Sequence, residues 1–93
     1  MLANVFYRAY NRDNAKMMSA ANVRDLTIEI EPAAGLDQIL EAAYAAGASK
    51  GSSRSGVFEV QTDIGIWDRE DGGKLAPGRP ARFRTWSELE LAA

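Results

Sequence analysis

The side chains of this chain that could do acid–base or metal chemistry are its carboxylates. Asp63, Asp68, Glu70 and Asp71 crowd into one short stretch, a pattern that could supply paired acids for glycoside hydrolysis or oxygen ligands for a hard cation. Tyr44, Glu59 and Asp63 are the candidates for a small-ligand pocket or for an enzyme working with carboxylate and tyrosine groups. The sequence has no histidine and no cysteine. That removes the usual serine-hydrolase base, the thiolate nucleophile and the commonest zinc ligands together.

The nearest approaches to known motifs fail on spacing. Asp68 to Gly73 places its Asp-Gly pair one position early for an EF-hand, and no glutamate follows at the twelfth position, so a hairpin turn is the better reading. Gly47-Ala-Ser-Lys-Gly-Ser lacks the Gly-Lys pair of a phosphate loop, and it lies between a helix and a strand in the wrong order. A helix C-terminus repels phosphate. Gly78-Arg79-Pro80 resembles the three-residue core of an AT-hook, yet Pro77 and Ala81 stand where that motif carries further basic residues. Catalytic, metal and cofactor assignments are therefore none.

Two other constellations point to binding. Lys74, Arg79, Arg82 and Arg84 follow one another without an intervening acid, interleaved with Phe83 and Trp86. Arginine among aromatics suits phosphate contact with base stacking, so this segment is the alternative, nucleic-acid reading. The second constellation is aromatic and apolar. Tyr7, Val57, Trp67 and Trp86 are the candidate interface residues, with Val57 and Trp67 sharing one side of an extended segment.

The elements that must position these residues are written in the hydrophobic pattern. Leu26, Ile28 and Ile30 alternate with polar neighbours as a strand over 25–31, ended by Pro32. Leu36, Ile39, Leu40, Ala43 and Tyr44 recur as one face of a helix over about 36–46, with Gly47 as its C′ residue. Phe58, Val60, Thr62, Ile64 and Ile66 alternate as the inward face of a long strand over 57–68, in which Gly65 signals a bulge or a close backbone approach. Trp67 then falls on the opposite face, which becomes the strongest functional clue.

Residues 4–10 read as a first strand, followed by a short helix through Met17 and Met18 capped by Asn11. Ala48 to Gly56 reads as a mobile loop. Pro77-Gly78 fits a type II turn, residues 82–84 a short strand with Phe83 in the core, and Thr85-Trp86-Ser87-Glu88 a capping box opening a terminal helix.

Ninety-three residues with 46% apolar and 26% charged side chains fit a single globular domain spanning 1–93. The expected fold is α+β, a small, largely antiparallel sheet of three or four strands with the 36–46 helix on one face and short terminal helices. A parallel crossover through that helix is the topological alternative. A net charge of −2 gives no general preference for polyanions. Met1 to Phe6 does not read as a signal peptide and no run is long enough to span a bilayer, so the expectation is a cytoplasmic protein without membrane contact, of a size common in phages and mobile gene cassettes. The functional expectation is a non-catalytic interaction module, a homo-oligomer or a binder of another protein.

Overall fold

The computed structural model describes residues 1–8, 23–48 and 55–92. In chain order the elements are β1 (Leu2–Arg8), β2 (Val23–Glu29), α1 (Leu36–Ala45), β3 (Gly56–Thr62), β4 (Gly65–Asp68), β5 (Arg82–Thr85) and α2 (Trp86–Ala92). The expected helix through Met17 and Met18 and most of the 48–56 loop lie outside the described residues.

The five strands form one antiparallel sheet in the order β2-β1-β3-β4-β5. Since β1 runs antiparallel to both β2 and β3, those two strands are parallel to each other without pairing. The α1 connection is thus a crossover that passes over β1, which joins the two topological alternatives in one arrangement. Strand count exceeds the three or four expected because the segment 57–68 is two strands. It folds back between Thr62 and Gly65.

That reversal has a local cause. The Thr62 hydroxyl accepts hydrogen bonds from the backbone N–H groups of Ile64 and Gly65, at 3.2 and 3.1 Å, and donates to the Gly65 carbonyl at 3.1 Å. A threonine side chain here does the work of turn residues. Gly65 is needed because a Cβ there would overlap the Arg84 backbone carbonyl of β5.

A second irregularity lies upstream. Phe6 faces Glu59 while Tyr7 faces Val57, so Phe58 is the extra residue of a β-bulge. Its ring turns to the face away from α1, beneath the Arg8 guanidinium at 4.3 Å. The bulge and the reversal each shift the inward–outward phase by one residue. Val57, Val60, Thr62 and Trp67 therefore share the α1 side, in place of the expected run from Phe58 to Ile66.

On that side Ala3, Val5, Ile28, Val57 and Val60 meet Ile39, Leu40 and Ala43 of α1, and Leu75 joins them at 1% exposure. The helix begins at Gly35, whose N–H donates to the Gln38 side chain at 3.1 Å. It ends in a Schellman motif: Ala48 N–H bonds Ala43 O, Gly47 N–H bonds Tyr44 O, and Gly47 takes φ +117°. At the chain's other end Thr85 and Glu88 exchange side-chain and backbone bonds at 3.2 and 3.3 Å, the reciprocal capping box expected for α2.

Candidate interaction surface

β4 and β5 extend the sheet beyond α1, and this overhang creates the most distinctive surface among the described residues. Trp67 on β4 and Phe83 on β5 are directly opposite in the strand register. Their rings meet at 5.1 Å between centroids, tilted by 44°, within the range where aromatic pairs attract. Between this pair and the start of α1 runs a cleft of about 190 Å³, lined by Ile30, Pro32, Ala34, Ile39, Trp67 and Phe83 among others. Ile64, in the reversal, lies at its rim.

The cleft is apolar and partly open. Ile64 is 50% exposed and Phe83 37%, although both were expected in the core. The reversal puts Ile64 in a loop, and α1 ends its coverage before reaching Phe83. The chain's Gly65 was the available signal for this, because a glycine required by close strand approach marks where the strand bends.

The four interface candidates separate. Val57 and Tyr7 face each other across β1 and β3 on the α1 side. Val57 is fully buried there, so it forms no part of an exposed surface, while Tyr7 is partly buried against the core. Trp67 packs on the core with one side toward the cleft. Trp86 stays 37% exposed, with its indole N–H donating to the Thr62 carbonyl at 2.9 Å. The wrong-sided tryptophan of the sequence pattern is on the core side of the sheet.

On the opposite face Arg82 and Arg84 have a protein partner. Arg82 holds both Asp68 carboxylate oxygens, at 2.8 and 3.4 Å, and Arg84 reaches the same carboxylate at 2.8 Å. The hydrogen bond to Asp68 raises the Arg82 pKa above its ordinary value. Arg84 Nε is buried without a hydrogen-bond partner among the described residues. Lys74 bridges to the Ser55 carbonyl at 3.2 Å, its stem lying over Gly56. Arg79 is exposed in the Pro77-Gly78 turn, where Gly78 takes φ +77° as a type II turn requires.

The carboxylates do not converge. Asp71 pairs with Arg69 at 2.7 Å, Glu59 accepts from Gln61 at 2.8 Å, and Asp63 is exposed in the reversal. Tyr44 accepts from the Val57 N–H at 3.4 Å. Among the described residues no group of three acidic side chains is placed to hold a metal ion, and no helix is long and apolar enough to cross a membrane.

No family model, curated protein or solved structure matches this chain. What the surface can do rests on its own chemistry. An apolar cleft flanked by a tryptophan–phenylalanine pair and a half-exposed isoleucine is suited to receiving an apolar side chain.

Proposed function

We propose that this chain is a non-catalytic protein-interaction module that also self-associates. The observation that carries the reading is the Trp67–Phe83 pair with Ile64 at an open apolar cleft beside α1. Large aromatic side chains at a concave apolar surface are the usual anchors of protein contacts. Self-association belongs to the same reading, because the sheet ends on its far side in β2, a strand that no other described element covers.

A nucleic-acid role for Lys74, Arg79, Arg82 and Arg84 has weaker support. Arg82 and Arg84 share one carboxylate and Lys74 is tied to Ser55, so little of the segment's charge is left for phosphates. An enzyme reading has weaker support still, since among the described residues the carboxylates do not converge on one site.

The cleft is tested by titrating the protein with an apolar environment-sensitive dye. The expected result is enhanced dye fluorescence that is lost in the variant carrying Ile64→Glu and Phe83→Glu, with the far-ultraviolet circular dichroism unchanged. Equal enhancement in both proteins, or none in the parent, ends the assignment of this surface.

A further inference from the structure

Among the described residues, the strand β2 carries an orderly pattern of backbone groups without a partner. Ile30 N–H bonds the Met1 carbonyl at 2.8 Å, and Ile30 O accepts from the Met1 amino group at 2.9 Å, so Met1 and Ile30 form a hydrogen-bonded pair. Antiparallel ladders alternate such pairs. With the register Ala3↔Ile28, Val5↔Leu26 and Tyr7↔Arg24, residues 24, 26 and 28 direct their backbone groups to β1. Val23, Asp25, Thr27 and Glu29 then direct theirs outward, along the terminal edge of the sheet.

We propose that a second copy of this chain pairs with that edge, β2 against β2, antiparallel about a two-fold axis at Leu26. The inference rests on the self-association in the proposed function and gives it a geometry. Its argument is register. Outward-pointing residues must meet outward-pointing residues, so the allowed pairings differ by steps of two. Centred on Leu26, Asp25 meets the partner's Thr27 and Val23 meets the partner's Glu29, using the whole strand with no like charges opposed. One step in one direction sets Asp25 against Asp25 of the second copy. The step in the other direction sets Asp25 against the partner's Glu29. Both are penalised, because like charges directly opposite destabilise a strand pair.

The other features of the edge agree with this pairing. Leu26, half-buried in the single chain, meets its own copy on the α1 side, where each isopropyl group covers the other. Arg24 lies opposite the partner's Ile28 and can lay its stem along it. Arg24, Asp25 and Glu29 would blunt an edge against unrelated strands, yet in this one register none of them meets a like charge. Selectivity for the chain's own sequence follows. The two apolar clefts would then sit at opposite ends of one continuous ten-stranded sheet, twice the five strands of one copy, which gives a bivalent module.

Thr27 is the position to test, since it is exposed and its backbone points away from β1. Dimer dissociation constants are measured by sedimentation for the parent, Thr27→Lys, Thr27→Asp and Thr27→Pro, with Ser87→Lys and Ser87→Asp as charge controls. Thr27→Lys places two symmetry-related lysines opposite Asp25, and tightens the dimer by roughly 2- to 30-fold. Thr27→Asp weakens it by a similar factor, and the Ser87 variants leave it within error of the parent. Thr27→Pro removes an outward N–H that the internal ladder does not use, so it abolishes the dimer; if that variant fails to fold, the charge pair decides. A parent that stays monomeric overturns both this pairing and the self-association reading. A dimeric parent insensitive to Thr27, or one weakened by Thr27→Lys, overturns the β2 pairing alone.

Discussion

Val60 of β3 and Trp67 of β4 stand opposite each other on the α1 side of the sheet, and this contact puts the tryptophan beside the cleft. It exists because the chain reverses at Thr62. The hydroxyl of that residue satisfies two backbone N–H groups and one carbonyl in a reversal where neither Asp63 nor Ile64 adopts positive φ. A turn without glycine or asparagine at its centre depends on that side chain.

Thr62→Val should therefore cost about 1–3 kcal/mol of stability, because the buried partners lose their bonds while the volume stays nearly the same. Thr62→Ser should retain most of it. Urea denaturation of the two variants checks this. Equal stability of valine and serine would mean that the hydroxyl does not hold the reversal.

Gly65→Ala should be costly for a different reason. The added methyl group meets the Arg84 carbonyl and Thr85 Cα, both backbone atoms of the neighbouring strand. Backbone cannot swing aside as a side chain can, so a loss of about 3 kcal/mol is expected. The same denaturation experiment reads it. The near-ultraviolet circular dichroism of the Trp67–Phe83 pair should weaken in parallel, since β4 and β5 must separate.

Asp68→Ala should destabilise the protein more than Arg82→Ala does. Removing the carboxylate leaves the Arg82 and Arg84 guanidinium groups side by side with no anion, whereas removing Arg82 leaves the Arg84–Asp68 pair intact. Because the hydrogen bond to Asp68 raises the Arg82 pKa above its ordinary value, this contribution is fully present below the ordinary arginine pKa and is lost only as pH rises through the folded-state value, far above neutrality. Stability at pH 6 and pH 8 should show the same ordering of the two variants. A reversed order would contradict the shared-carboxylate geometry.

The parts of the fold that were legible in the sequence are those in which one residue acts on its own neighbours. The α1 stripe, Gly47 at its end, the Pro77-Gly78 turn and the Thr85–Glu88 capping box are all local devices, and each is in place. The phase of β3 and β4 was not legible. A bulge at Phe58 and a reversal held by a threonine hydroxyl leave no periodic mark, and the two shifts cancel so that Val57 and Trp67 still share a face. Extrapolating the alternation from Phe58 to Ile66 therefore placed Val60 and Thr62 correctly, but on the side of the wrong companions. Trp67 was singled out for lying on the face opposite the core, whereas it stands opposite Val60 on the core side. Phe83 was missed because its exposure depends on how far α1 reaches across the sheet, which is set by tertiary packing.

The arginines followed a similar rule. Their alternation showed that Arg82 and Arg84 share a face, and the structure puts Asp68 there with them. Only strand pairing reveals that carboxylate, since Asp68 is remote in sequence.

The central claim is that this chain acts through contact with other protein surfaces, its own copy included. Sedimentation equilibrium of the unmodified chain over a wide range of concentrations tests it most directly. The account predicts a reversible monomer–dimer equilibrium with a single dissociation constant; a monomer mass at every concentration would contradict it.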